Sequence, residues 1–196
     1  MVCDVRMDAT GLCDGCEQKV EWIDDPSCRR CGCPNVTDSA TCPNCAEKLF
    51  DFDRLVVPWQ FAKNVQKLLH GLKYEGKTFV VPVLVDAIVR RVRRLGIVSS
   101  YTVVVPVPLH SSRMRERGYN QSQLLAKGVA RRLGIRSENV LNRIRPTATQ
   151  TQLGIEERAR NVDRAFVVRQ PKRVRSKPIL LIDDVFTTNA SQTLIK

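Results

Sequence analysis

No apolar run in the 196-residue chain approaches the roughly 20 consecutive positions needed to cross a bilayer. The stretch from Met1 to Cys13 also lacks the apolar core of a signal peptide. A cytoplasmic protein without membrane insertion is expected. The dinucleotide fingerprint is missing too, since G-x-G-x-x-G does not occur. Cysteine disappears after Cys45, so its chemistry is confined to one end.

What is present divides in two. A hydrophobic content of 43% over 196 residues supports the cores of one mid-sized and one small domain. Through Asp53 there are 5 Lys+Arg against 11 Asp+Glu, net −6, and the remainder carries 27 against 9, net +18. The expected domains are a cysteine-rich zinc ribbon over 1–53 and a basic domain over 54–196. A strongly basic domain suits nucleic acid or a substrate bearing several phosphates.

The eight cysteines are Cys3, Cys13, Cys16, Cys28, Cys31, Cys33, Cys42 and Cys45. In a C-x₂-C knuckle two thiolates reach one tetrahedral ion, whereas a disulfide within the knuckle is strained and a reducing compartment opens it. Cys28, Cys31, Cys42 and Cys45 form the expected structural zinc site, closed and without an open catalytic position. A second zinc would draw on Cys3, Cys13 and Cys16, but Arg6 occupies the remaining knuckle position. Cys33, Asp4 or Asp8 completes that site, or it is a three-cysteine remnant.

In the basic part, Val65, Leu68, Leu69 and Leu72 fall at helical spacing and predict a helix ending near Gly76. A second helix is predicted from about Pro82 to Leu95. The segment from Tyr101 to His110 reads as a buried strand with a proline-punctuated end, followed by a loop over Leu109 to Tyr119 carrying Arg113, Arg115 and Arg117, whose fixed guanidinium forks suit phosphate. Asn120 then caps a helix from Gln121 to Arg132, with Leu124, Leu125, Val129 and Leu133 inward and Gly134 as its stop. Arg143 to Arg169 has few apolar residues before Ala165 and reads as a mobile excursion.

Ile179 to Ile182 follow Pro178 as four apolar residues that suit a strand buried on both faces, and they run into Asp183 and Asp184 and then Thr187, Thr188, Asn189, Ala190 and Ser191. Ligands of open α/β sheets bind beyond such carboxyl ends. Hydroxyls and the backbone N–H groups opening a helix favour a phosphate, while the two acids suit sugar hydroxyls and hydrated Mg²⁺. Side chains alternate along a strand, so the acids are not one facing dyad. Val185, two positions after Asp183, excludes a D-x-D-x-T strand end.

This turn resembles the D-D-V-x-T-T-G-A-T signature of phosphoribosyltransferases that bind phosphoribosyl pyrophosphate (PRPP). The resemblance widens to the ComF family (competence protein F, amidophosphoribosyltransferase-like, with a double zinc ribbon). It runs through the cysteine head, Leu72 to Gly76, Val105 to His110, Arg115 to Gln121, Thr149 to Leu153 with Arg158 and Asn161, and the Asp183–Asp184 turn. The resemblance implies an α/β fold of type I phosphoribosyltransferase kind, a parallel sheet flanked by helices behind a small N-terminal zinc ribbon. It also implies displacement of pyrophosphate at the anomeric carbon of PRPP or a related sugar phosphate, with Mg²⁺ and arginines absorbing the leaving charge. Asp183 and Asp184 would be catalytic, the arginine loop would face pyrophosphate and the Thr149 to Asn161 segment would be the flexible loop. Some family members are linked to natural DNA uptake beside a helicase-like partner, so a non-catalytic adaptor binding single-stranded DNA or such a partner is the alternative.

Asn189 stands where the family places glycine, and Ser191 where it places threonine. Because Lys196 follows Ser191 by five residues, the sequence reads as lacking the elements that would cover the sheet, and a degenerate fragment without activity is a third reading.

Overall fold

The structure, a computed structural model, describes residues 15, 18–34, 40–48, 50–145 and 165–185. Cys3, Cys13, Cys16, the Thr149 to Asn161 segment and the Thr187 to Ser191 turn lie outside these residues. In chain order the main described elements are α1 (Pro43–Ala46), α2 (Lys63–Tyr74), α3 (Val81–Arg94), β1 (Val103–Pro106), α4 (Ser111–Arg117), α5 (Gln121–Leu133), β2 (Arg136–Ser137), β3 (Leu141–Arg143), β4 (Phe166–Val168) and β5 (Ile179–Ile182).

The protein is α/β, built on a parallel sheet in the order β2-β1-β5 with flanking helices. β1 lies at its centre, and its four residues are all buried. Alternation divides their side chains between two faces. Val104, with Leu180 and Ile182 of β5, joins the main core formed with α2, α3 and α5, while Val103 and Val105 join Val140, Ile179 and Leu181 on the other face. β5 is only half-buried on that second face. Double-sided burial, expected of Ile179 to Ile182, is complete for β1 because that strand has neighbours on both edges.

The helices follow their sequence periods. α2 buries Val65, Leu68, Leu69 and Leu72, whereas Phe61 lies outside it and is exposed. α3 buries Val83, Leu84, Val85, Ala87, Val89 and Val92, with Pro82 in its first turn, where a missing N–H is tolerated. α3 and α5 approach closely at Gly128: a Cβ there would meet Val85 Cγ2 at 2.5 Å. Of the inward positions expected in α5, Leu125 and Val129 are fully buried, while Leu124 and Leu133 are half-buried. Each fully buried Leu or Val contributes about 1.5–3 kcal/mol relative to exposure.

Two stretches differ from the sequence reading. The Leu109 to Tyr119 loop contains α4, because His110 caps its start by accepting from Ser112 N and Gly118 ends it at φ +80°. The ends of the expected mobile excursion are tied together, since β3 and β4 pair antiparallel with Leu141 opposite Val168 and Arg143 opposite Phe166. The interior of that excursion lies outside the described residues.

The cysteine-bearing segment is stitched to the rest on both sides of Asp53. Trp22 and Trp59 bridge as antiparallel partners with rings edge to face at 5.5 Å, and Arg90 lies over the Trp22 ring. Arg91, only 4% exposed, donates to both carboxylate oxygens of Asp25 at 2.9 Å and to Ser27 Oγ at 2.7 Å. Arg94 pairs with Asp24 at 2.7 Å.

Candidate functional site

β1 and β5 run in the same direction in exact step, Val103 opposite Ile179 and Pro106 opposite Ile182. Their carboxyl ends therefore finish at one level, and Val107 N donates to Ile182 O at 2.9 Å, carrying the pairing one residue further. Asp183 emerges beside the start of α5. Asn120 fixes that start: its Oδ1 caps Ser122 N at 3.0 Å while its Nδ2 donates to Val107 O at 3.0 Å. One asparagine thus ties the N-terminus of α5 to the end of β1.

Both acids are held from α5, but differently. Ser122 Oγ donates to Asp183 Oδ1 at 3.2 Å, and the backbone N–H of Asp184 donates to the same oxygen at 2.8 Å. Gln121 Nε2 donates to Asp184 Oδ2 at 2.6 Å, and Lys73 of α2 pairs with Asp184 Oδ1 at 3.0 Å. The last turn of α2 is fastened to this end by two further contacts: the Tyr119 hydroxyl donates to Leu72 O, and Arg117 lies over the Tyr74 ring at 5.3 Å.

Burial of the carboxyl, first, and the adjacent Asp184 carboxylate, second, push Asp183 up to about 6, although the residue as a whole is exposed. The Ser122 hydroxyl, the Asp184 N–H and the Lys73 charge oppose that rise. Arg143 on β3 stands near enough to feel Asp183. Burial holds its guanidinium below the usual value, the Asp183 charge acts in the other direction, and Arg113 adds to the lowering. Two acids at a strand end, with Lys73 paired to one, Arg143 within electrostatic reach of the other and Arg117 one contact away through Gln121, make a polar locus able to grip hydroxyls with carboxylate oxygens and anionic groups with guanidinium forks.

The three arginines expected to face pyrophosphate are spread by α4 rather than presented by an open loop. Arg113 pairs with Glu116 at 3.0 Å, Arg115 is exposed, and Arg117 donates to Gln121 Oε1 at 2.5 Å. Sequence reasoning assigned no role to Lys73, Gln121, Ser122 or Arg143. Lys73 and Gln121 sat inside segments that carried the family resemblance, and Gln121 and Ser122 follow a helix cap placed after a strand, which was the available signal. Helical period alone gives no hint of Lys73, because it lies off the apolar face of α2.

At the other end of the molecule, five thiols gather. The sulfurs of Cys28, Cys31, Cys33 and Cys42 all lie within 4.8 Å of one another, and Cys45 is buried in the same cluster. The grouping thus includes Cys33, which sequence reasoning held for a second site, beside three of the four cysteines expected in the first. Backbone N–H groups of Cys42 and Arg30 point at Cys28 Sγ at 3.3 and 3.4 Å. Burial works against the Cys28 thiolate, but the N–H groups of Cys42, Arg30 and Cys31 outweigh it and bring the thiol down to about 6. Burial and the neighbouring Cys31 and Cys42 push Cys33 up to about 12, and the same causes raise Cys45. So many thiols cannot ionise together without a cation among them. The donor set therefore fits a soft, thiophilic metal ion such as zinc.

Among the described residues no helix is long and apolar enough to cross a membrane. No family model matches the chain, and no solved structure matches it. Curated proteins do match. Competence protein F of Haemophilus influenzae is 28% identical over 186 residues, covering 92% of this chain and 80% of that protein. DNA utilization protein YhgH of Salmonella typhimurium is 31% identical over 185 residues with the same coverage, and its counterpart in Escherichia coli K12 is 30% identical over 185 residues. Similarity of this extent, spanning the thiol cluster and the acid-bearing sheet together, shows that the chain belongs to the ComF family.

Proposed function

We propose that the protein binds PRPP or a related sugar phosphate with Mg²⁺ at the carboxyl ends of β1 and β5, as a phosphoribosyltransferase-type site whose acceptor is unidentified. The observation that carries this reading is the convergence of Asp183 and Asp184 with Ser122, Gln121 and Lys73 where two parallel strands end together. Parallel strands put their ligands at that end. In this reading the ribose hydroxyls and the hydrated metal are held at the acid pair. Thr187, Thr188, Asn189, Ala190 and Ser191 wrap the 5-phosphate, and Arg113, Arg115 and Arg117 meet pyrophosphate. When bound, Mg²⁺ would offset the charge of the leaving pyrophosphate.

The reading also divides the chain at Asp53. A zinc-stabilised head covers 1–53, with Cys28, Cys31, Cys42 and Cys45 or the alternative set containing Cys33 as ligands, and Cys3, Cys13 and Cys16 as candidates for a second ion. The body over 54–196 carries the sugar-phosphate site, and the protein works in the cytoplasm.

Titration calorimetry of the zinc-loaded protein with PRPP and Mg²⁺ tests the site. Saturable heat is expected in the parent, reduced at least tenfold in affinity in Asp183→Asn. A folded sample without heat, or an indifferent Asp183→Asn variant, would rule out the reading.

A second reading, a non-catalytic adaptor for single-stranded DNA or a helicase-like partner, is favoured by the name that two of the relatives carry, DNA utilization protein. Exposed Arg93, Arg131, Arg132 and Arg136 around the ends of α3 and α5 support it. Binding to a single-stranded oligonucleotide should then weaken steeply and linearly on a logarithmic salt scale, and absence of binding at low salt eliminates it.

A further inference from the structure

Resting on the acid pair of the proposed function, we infer that Asp183 and Asp184 do different work: Asp184 is a positioning residue clasped by Lys73 and Gln121, and Asp183 alone presents an oxygen to ligand. Both oxygens of Asp184 are occupied, Oδ1 by the Lys73 ammonium at 3.0 Å and Oδ2 by the Gln121 amide at 2.6 Å, and its side chain is only 6% exposed. Asp183 uses Oδ1 for both Ser122 Oγ and the Asp184 N–H, so among the described residues its Oδ2 accepts no hydrogen bond, and the residue is exposed.

The clasp is held in turn. Gln121 has a donor end and an acceptor end, and its orientation decides whether it meets Asp184 with an N–H or with a repelling oxygen. Arg117 settles the orientation by donating to Gln121 Oε1 at 2.5 Å, which turns Nε2 toward Asp184. Arg117 thus acts on the acid pair through Gln121, a charge-assisted link from α4 to β5. Lys73 brings the opposite charge from α2, whose last turn is fixed by the Tyr119 hydroxyl on Leu72 O. Three helices therefore converge on one carboxylate.

Two consequences follow. With its charge matched by Lys73, Asp184 has little left to attract a divalent cation, so a hydrated metal or a sugar hydroxyl meets Asp183. An anionic ligand drawing Arg117 away from Gln121 would loosen Asp184, so phosphate capture by α4 is mechanically linked to the acids.

The experiment is carboxyl labelling of the folded, zinc-loaded protein with a water-soluble carbodiimide and an amine, with the two adjacent positions separated by fragment-ion mass spectrometry. Asp183 should label at least tenfold faster than Asp184. In Lys73→Met the protection of Asp184 should fall at least fivefold, and Lys73→Arg should restore it, which a merely space-filling role for Lys73 would not do. Gln121→Leu gives a second, independent release of Asp184 should Lys73→Met fail to fold. Equal labelling of the two acids in the parent, or unchanged protection of Asp184 in a folded variant lacking Lys73 or Gln121, overturns the inference. PRPP with Mg²⁺ should shield Asp183 specifically. Loss of that shielding with the labelling asymmetry intact would remove the sugar-phosphate reading while leaving the clasp in place.

Discussion

The thiol cluster and the acid pair are both dense groups of ionisable side chains, yet they are built to opposite ends. In the head, four sulfurs within 4.8 Å face one another, their mutual repulsion calls for a single cation, and a four-thiolate ion has no open position. At the ends of β1 and β5 the Asp184 charge is already matched within the protein by Lys73, and among the described residues one oxygen of Asp183 accepts no hydrogen bond. The first arrangement uses its chemistry up in holding the chain together. The second holds itself together first and keeps one carboxylate oxygen in reserve, as the proposed binding role requires.

Removing the metal should break the comparison most forcefully. Structural zinc supplies about 10–16 kcal/mol of apparent binding free energy in small zinc-dependent folds. A strong chelator is therefore expected to open the head and shift the fluorescence of Trp22 and Trp59, which meet where head and body join. The helical circular dichroism of α2, α3 and α5 should persist, because apart from Val20 the buried residues of their shared apolar core all come after Asp53. Coincident loss of both signals would mean that the body has no separate stability.

The next largest effect belongs to the seam. Among the described residues, Asp25→Ala leaves the buried Arg91 guanidinium with Ser27 as its one hydrogen-bond partner. Partial exposure of Asp25 tempers the penalty, which should be about 2–3 kcal/mol in urea unfolding. A change below about 0.5 kcal/mol, in the range of surface substitutions, would show the head to be loosely attached.

Choosing among the five thiols is a finer measurement. The geometry predicts that Cys33→Ser weakens zinc binding more than tenfold, about 1.4 kcal/mol, and more than Cys45→Ser does, as read by competition with a chromogenic chelator. The reverse order would favour the paired C-x₂-C set of Cys28, Cys31, Cys42 and Cys45.

Smallest is the pH effect at the acid end. Asp183 titrates near 6 in the folded protein against a usual 3.8, so its protonated form is favoured by folding. Its contribution is full below about 3.8 and is lost as pH rises through about 6. Asp183→Asn should therefore melt like the parent near pH 4 and slightly above it near pH 7. A difference that shrinks as pH rises would contradict the crowding of Asp183 by Asp184.

Much of the architecture was legible beforehand because it rests on local rules. The apolar spacing of α2 and α3, the Asn120 cap and Gly134 stop of α5, and the β-branched run of β1 are each decided within a few residues. α4 escaped notice because a seven-residue helix with no buried residue has no apolar period, and only its His110 cap and Gly118 stop define it. The acids were legible as a pair at a strand end, but their unequal roles were not.

What the sequence determined by itself was therefore the order of elements, the concentration of thiols at one end and the placement of two acids after an apolar strand, since neighbours along the chain impose all three. Only the tertiary structure decided which sulfurs meet, and that Lys73 and Gln121 claim Asp184 while Asp183 stays open. In the acid clasp those contacts join Gln121 and Lys73 to Asp184 across 63 and 111 positions of the chain, and a pairing across such distances exists only once parallel strands and packed helices have brought the partners together.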